Sequence, residues 1–388
     1  MRKILVFTGS RANLSSSLPI VSALSQHDAV EVVNVLGAAG TLERYGRVHQ
    51  AFYENGFSVD ASLGMIVEGE TPESMAKSVG LGVIEVSVVL AQISPHLVVL
   101  IGDRFDVLSV AVAASMMNIP IAHTMGGEIS GTIDESIRHV ISKFAQIHFP
   151  ANAMAARRIR QLGENPNNIY AVGCPRMDYI AGILKKPESD FVEDYQRLPA
   201  VGEEIDLAEP FLITLFHPVT TEFAQARKQT KELLRALNTL AMPTIMIWPN
   251  ADAGSDEIAK TIRTFREEVK PSWLRVHKNL PFDVYIFLMN RCKALVGNSS
   301  SGIREAAFIG CPVVNVGSRQ NGRDRASNVV DVPCACDEII QAIRKQIAKE
   351  KYPRSELYGL GNSAHKIAKI IVERDDIGVQ KTFTDILD

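Results

Sequence analysis

IGDRFDVLSVAVAASMMNIPIAHTMGGEISGTIDESIRHVISKFAQIHF, residues 101–149, decides the fold. Its first residue completes an apolar run, 96–101 (HLVVLI), that reads as a buried strand. Residues 105–117 read as a helix, 119–123 as the next strand, 133–144 as an amphipathic helix and 147–149 as a short strand. Strands alternating with helices of this length require βαβ units and a parallel sheet. Two acids stand where such a sheet presents side chains to a ligand: Asp103 directly after a strand, and Asp134 at the opening of a helix. Gly126, Gly127 and Gly131 lie between strand and helix, with His123 and His139 near, and glycines there let a ligand approach the backbone.

The same alternation extends outward. Towards the N-terminus, 3–7 (KILVF) is a strand, 18–24 a helix, 31–36 a strand, 42–53 a helix, and 72–93 a long helix expected to be interrupted near Gly80 and Gly82. Beyond residue 149 come a helix at 152–161 and a strand at 169–172. This is one Rossmann-like domain, residues 1–185. From 185 to 210 the apolar pattern weakens and Pro187, Pro199 and Pro210 punctuate it, which marks the junction. Strands at 211–216, 244–248, 275–277, 294–296 and 312–316, with helices at 221–240, 256–269, 281–290, 303–309 and 337–349, make a second Rossmann-like domain, 210–362. The segment 363–388, with a helix at 363–374, is expected to cross back to the first domain. Two such domains of similar size imply an α/β fold of the GT-B-like kind, facing across a deep cleft.

Composition narrows the function. Of 388 residues, 46% are hydrophobic and 22% charged, as in globular proteins, and a formal net charge of -3 speaks against a nucleic-acid or polybasic membrane surface. Five cysteines (Cys174, Cys292, Cys311, Cys334 and Cys336) are odd in number and lack metal-ligand spacing, so a reducing, cytoplasmic setting is expected. The apolar run at the N-terminus is too short for a signal peptide. The region 81–101 is broken by Glu85, Gln92, Pro95 and His96 and reads as a helix followed by a strand, not a membrane span. There is no GxGxxG, Walker A or GxSxG motif and no metal cluster stands out, so NAD, P-loop and serine-triad chemistry lose support.

Each candidate residue also has a structural reading. Thr132 and Glu135 form a T-x-x-E capping box, and Asp134 with Arg138 is an i,i+4 pair, so Asp134 is either a dipole-favoured first-turn acid or a site residue. Asp103 either caps the helix at 105–117 or is a cleft carboxylate. Arg11, in Thr8-Gly9-Ser10-Arg11 after the first strand, is a surface arginine or a grip on a diphosphate. In the second domain three strand ends carry polar loops: Phe216-His217-Pro218, residues 248–254 (WPNADAG), and residues 297–302 (GNSSSG). The last runs into the helix at 303–309, whose first-turn N–H groups suit an anion, with Glu305 placed to accept from ribose hydroxyls.

Taken in order, GDRF(D/E), HxxGGExxGxxDxSIRHxISK, FHP, WPNxDxG and GNSSxGxRE resemble the UDP-N-acetylglucosamine 2-epimerase family. Within it they resemble the hydrolysing branch that serves sialic-acid and related nonulosonic-acid biosynthesis. The resemblance runs from Thr8 to about Asn328. It implies a reaction with no metal and no cofactor: elimination of UDP from UDP-N-acetylglucosamine to a 2-acetamidoglucal, then addition of water to give free N-acetylmannosamine. Homodimers or homotetramers are implied too. By the same resemblance, Asp103 and Asp134 are the acid/base carboxylates, Arg138 and His148 occupy functional positions, and His217 contacts substrate or phosphate. Arg11 and Arg104 match nucleotide contacts. Asn250, Lys278, Ser299, Ser300, Gly302 and Glu305 match the uridine-diphosphate side, and Arg319 lies on a family-like position. Two departures stand out: Asn13 replaces an acid after Thr8-Gly9-Ser10-Arg11-Ala12, and Met125 sits where sialic-acid members carry a glutamate. The second opens the alternative of UDP-N,N'-diacetylbacillosamine as substrate, in legionaminic-type acid biosynthesis. A GT-B glycosyltransferase, a non-catalytic nucleotide-sugar sensor and a non-hydrolysing epimerase are the other readings.

Overall fold

The computed structural model describes residues 1–42, 48–68, 71–130, 133–249 and 255–385. The chain divides into two compact units, Met1–Tyr179 with Tyr358–Asp388, and Ile180–Leu357.

In the first unit the strands are β1 (Arg2–Thr8), β2 (Val30–Leu36), β3 (Ala61–Ser62), β4 (Leu97–Ile101), β5 (Ile121–Thr124) and β6 (Ile147–Phe149). Between them run α1 (Arg11–Leu24), α2 (Val48–Glu54), α3 (Pro72–Ile93), α4 (Phe105–Met116) and α5 (Ile133–Phe144), and α6 (Ala153–Gln161) follows β6. The order β3-β2-β1-β4-β5-β6 is that of a doubly wound sheet, with parallel pairing among the described residues. Chain direction across the sheet reverses between β1 and β4, so the loops after those two strands flank the switch point where such sheets hold ligands. Asp103 and Arg104 follow β4, and Arg11 opens α1 just after β1.

The strands are near-continuous apolar runs because helices cover both faces. Leu97–Ile101 is buried at every position. The helix α3 is not interrupted at its glycines. At Gly82 a Cβ would lie 2.5 Å from Met65 Cε and 2.7 Å from Ser109 Oγ, so glycine here lets α3 pack closely on α4. By length and composition Glu73–Ile93 is apolar enough to cross a membrane. Here Val86 and Leu90 enter the core, and a left-handed Ser94 ends the helix before β4. The expected strand at 169–172 is reduced to a single parallel bridge, His148 to Ile169.

Gly126 and Gly127, expected to admit a ligand, are packed against protein instead. A Cβ at Gly126 would meet Ser142 Oγ at 2.7 Å, and one at Gly127 would meet the Ala155 carbonyl at 2.2 Å. Gly127 is also left-handed, with φ 74. Gly127→Ala is expected to destabilise the fold by about 1–3 kcal/mol, the range for a non-glycine residue forced into a sparse backbone region. Chemical denaturation checks this, and an unchanged midpoint would show that α6 yields.

Straddling the division is α7 (Arg176–Ile183), and α8 (Glu188–Gln196) opens the second unit. Its strands are β7 (Ala200–Val201), β8 (Leu212–Leu215), β9 (Thr244–Ile247), β10 (Leu274–His277), β11 (Ala294–Gly297), β12 (Val313–Val316) and β13 (Val329–Val332). Its further helices are α9 (Ala226–Leu240), α10 (Ser255–Val269), α11 (Phe282–Arg291), α12 (Ser300–Ile303), α13 (Glu305–Ile309) and α14 (Cys336–Ile347). The order is β13-β12-β11-β8-β9-β10-β7, parallel except for the β7–β10 pair. The residues expected to be a bare junction, 185–210, are thus structured: α8 packs on α11, and β7 adds an edge strand. The switch point falls between β8 and β11.

The last helix, α15 (Ser363–Glu373), belongs to the first unit and packs on α1. Asp178 caps it by accepting from the Ser363 and Ala364 N–H groups at 2.9 and 2.7 Å. Arg2 Nη1 ties it to β1 by donating to the Ile371 and Arg374 carbonyls.

Candidate active site

In the first unit the site is organised by Arg138, on the second turn of α5 and only 1% exposed. Its Nε donates to Asp103 Oδ2 at 2.8 Å, and its Nη2 donates to the same oxygen. Its Nη1 donates to the Glu128 carbonyl at 2.6 Å and to Glu135 Oε2 at 3.4 Å, and its Nη2 to Ser130 Oγ at 3.0 Å. One guanidinium therefore pins the loop after β4, the loop after β5 and its own helix. The Asp103 side chain keeps 29% of its surface exposed, so the pinned carboxylate stays within reach of a ligand. Asp103 is thus no cap for α4, whose N-cap is Arg104.

Asp134 lies half-buried in the first turn of α5. Thr132, the expected N-cap, is outside the described residues. Glu135, the other half of that box, accepts from the Ser130 N–H and from Arg138, and lies 3.1 Å from His139 Nε2. Arg104 stands in the field of three acids: Asp106 first, then Asp134 and Asp103, raise its pKa against burial. Its Nε donates to Asp106 Oδ1 at 3.3 Å, and its side chain is 44% exposed. Asp106 is fully buried, which pushes its carboxyl up, and its Oδ2 lies where a Cβ of Gly9 would fall. Arg11 opens α1 at this place, its side chain outside the described atoms.

Three groups have supporting roles that the sequence does not show. His123, at the end of β5, reaches the Gly102 carbonyl at 2.8 Å and Ser142 Oγ at 3.1 Å, which fixes the loop carrying Asp103. Burial pushes its pKa down to about 4 against the Gly102 hydrogen bond, so it is neutral at pH 7. Asn13, noted only as a departure, donates to the Ile101 carbonyl at 3.0 Å and accepts from Ser10 Oγ at 2.7 Å. It joins the two loops of the switch point. Glu164 binds His148 Nε2 at 3.0 Å, Lys143 Nζ at 2.7 Å and Lys381 Nζ at 2.6 Å. Burial opposes its charge, but these partners hold its carboxyl down at about 2. His148, on β6 beside His123, is buried against Glu164, and burial lowers its pKa. Lys381 also donates to the last carbonyls of α5, at Lys143 (2.8 Å) and Ser142 (3.4 Å), complementing the dipole of the helix that bears Asp134 and Arg138.

Met125 follows β5, 7% exposed and left-handed at φ 61. The Cys174 thiol lies 3.3 Å from its sulfur, so the corner is apolar and polarisable.

In the second unit the loops after β8 and β11 are locked together. Asn298 Oδ1 accepts from the His217 N–H at 2.7 Å and Asn298 Nδ2 donates to the His217 carbonyl at 2.8 Å. Burial, and then the charge of Arg319, push the His217 pKa down to about 3. Arg319 Nη1 and Gln320 Nε2 both donate to the Asn298 carbonyl, at 3.2 and 2.9 Å. The expected helix at 303–309 starts earlier and breaks at Arg304 into α12 and α13. Ser299 caps α12 by accepting from Ser301 N at 3.3 Å, so part of the anion-binding capacity expected there is already used. Ser300 opens α12, and Gly302 is packed: a Cβ would meet Leu295 Cδ2 at 2.9 Å. Glu305 is buried at the start of α13. Lys278 is exposed just after β10. Asn250 lies outside the described residues.

The neutral histidines give a pH signature. His123 and His217 hold protons less tightly folded than unfolded, so the unfolded state binds more protons between their folded values, about 4 and 3, and the ordinary 6.5. Stability therefore rises with pH across that window and is lost as pH falls through it, by about 2 kcal/mol per histidine at pH 5. Denaturation at pH 7 and pH 5 measures this; equal stability at both would contradict the buried neutral rings.

The family model described as UDP-N-acetylglucosamine 2-epimerase matches residues 22–372. The chain is 30% identical over 371 residues, 96% of each chain, to the hydrolyzing UDP-N,N'-diacetylbacillosamine 2-epimerase of Legionella pneumophila. It is 28% identical over 391 residues, 100% of each chain, to a UDP-N-acetylglucosamine 2-epimerase of Neisseria meningitidis serogroup B. Among solved structures it is similar to the Neisseria meningitidis UDP-GlcNAc 2-epimerase bound to UDP-GlcNAc. The TM-score is 0.81 at 15% identity, over 96% of this chain and 100% of that one. The Methanocaldococcus jannaschii enzyme in complex with UDP-GlcNAc and UDP gives a TM-score of 0.78 at 17% identity, with the same coverage. These likenesses show the GT-B-like fold.

Proposed function

Because the chain belongs to the UDP-N-acetylglucosamine 2-epimerase family, we propose that it is a hydrolysing 2-epimerase that converts UDP-N-acetylglucosamine and water to N-acetylmannosamine and UDP. A carboxylate takes the C2 proton, the C1–C2 double bond forms, and the C1–O bond breaks with its electron pair leaving on UDP. Water then adds its hydroxyl to C1, and C2 is reprotonated on the opposite face, which gives the manno configuration. The observation that carries this is the buried Arg138, which draws the carboxylate of Asp103 to the helix that bears Asp134. Two acids, one oriented by a guanidinium, suit proton removal and return. Neutral His217 and the cation Arg319 lie on the unit whose residues the family resemblance assigns to uridine diphosphate, where positive charge eases departure of the diphosphate. Five free cysteines fit a reducing cytoplasm.

Met125 favours a second reading of the sugar. A buried thioether against a thiol suits a methyl group better than a hydroxymethyl. A UDP-linked 2,4-diacetamido-2,4,6-trideoxy sugar carries that methyl, and the Legionella relative is named for such a substrate. The test is incubation with each UDP-sugar and no acceptor, with chromatography of the products. UDP and free manno sugar in equal amounts are expected. A UDP-linked manno product would mean a non-hydrolysing epimerase, and UDP release only with an added acceptor would mean a transferase. A higher kcat/KM on the trideoxy sugar selects the second reading; Met125→Glu is then expected to shift preference towards UDP-N-acetylglucosamine.

A further inference from the structure

Away from the loops after β8 and β11, the second unit holds a cavity of about 550 Å³ walled by α8, α11, β10 and the segment 204–208. Its buried wall carries Arg275, in the middle of β10 and 9% exposed. The Nε of Arg275 is enclosed without an acceptor, and among the described residues no group accepts from any nitrogen of this guanidinium. The other cation of the cavity, Arg291, is engaged: it donates to Glu188 and, at 3.2 Å, to the Leu207 carbonyl. Glu204 and Asp206 are exposed at the rim, and Asp206 accepts from the Ala208 N–H at 2.8 Å. The Tyr195 phenol lies within the field of Arg275 and meets His277 Nε2 at 3.3 Å. The rest of the lining is largely aliphatic, from Val192, Ile205 and Leu207.

An enclosed guanidinium Nε without an acceptor is costly, because its desolvation is not repaid by a partner. Its planar fork matches a carboxylate or a phosphate. We propose that this cavity is a second ligand site, which takes a small organic anion with its phosphate or carboxylate head on Arg275 and an apolar frame against Val192, Ile205 and Leu207. The site lies on residues that the family resemblance does not use, and the inference stands apart from the reaction proposed above.

Calorimetric titration of the full chain with phenyl phosphate and, separately, benzoate tests it. Saturable binding of at least one probe is expected, and the probe that binds identifies the head group. Arg275→Met should weaken it at least about tenfold, the loss of a charge-assisted pair. Should that variant fail to fold, Ala208→Trp, on the exposed loop, fills the cavity from outside and should abolish the same binding event. Saturable binding by neither probe, or wild-type affinity in either folded variant, overturns the proposal.

Discussion

Asp103→Asn is expected to lower turnover at least about a hundredfold, the usual loss for a removed acid/base group, while lowering the unfolding midpoint less than removal of Arg138 does. Asparagine keeps the shape of the side chain and one acceptor oxygen, so Arg138 retains a partner for the contact that aspartate makes at 2.8 Å. What is lost is the carboxylate's capacity to take and return a proton. Asp134→Asn is expected to behave alike, since its side chain stands half-buried in the first turn of the same helix. Steady-state kinetics on purified protein measure both. Near-wild-type turnover in either variant would remove that residue from the chemistry.

Arg138→Met should cost turnover at least as much, and stability as well. Methionine fills much of the buried volume, but it withdraws donors from Asp103, Glu135, Ser130 and the Glu128 carbonyl together. Breaking a fully buried ion pair costs about 3–5 kcal/mol; here about 2–3 kcal/mol is expected, because Asp103 keeps access to water. Arg138→Lys should recover part of the stability and little of the turnover, since one ammonium cannot reproduce a planar fork that serves three segments. If the lysine variant turned over like wild type, charge alone would be sufficient and the geometric role of Arg138 would be wrong.

The fold was legible where periodicity and strand ends coincided. The runs 96–101 and 133–144 read directly as strand and helix, because burial on both faces makes one continuous and burial on one face makes the other periodic. The edge strand β13 was missed: its four residues are no more than half-buried and Asp331 interrupts the apolar pattern. The helix α8 was missed because its acids and the flanking prolines imitate a linker, although Phe191 and Tyr195 bury one face. Helix 72–93 runs unbroken through both glycines: Gly82 serves close packing, a role that only its neighbours reveal, whereas a Cβ at Gly80 would meet open space.

The site was legible residue by residue but not as a circuit. Spacing pairs Arg138 with Asp134 at i,i+4 and the family resemblance marks it as functional, but neither shows that its guanidinium reaches Asp103, 35 positions away. His123, Asn13 and Glu164 hold loops through backbone carbonyls and distant side chains, contacts that leave no periodic trace. The tie from Lys381 to Glu164 and the end of α5 joins the C-terminal tail to the helix bearing two of the candidate residues. Lysine spacing alone carried no sign of it.

The central claim is that the reaction takes a proton from C2 of the sugar. Turnover in heavy water, followed by proton NMR of the released sugar, measures it most directly. Free manno-configured sugar bearing one deuterium at C2 is expected, with UDP formed in step and both products formed at least about a hundredfold more slowly in Asp103→Asn. Released sugar that retains its original C2 proton, or a wild-type yield of deuterated sugar from Asp103→Asn, would contradict it.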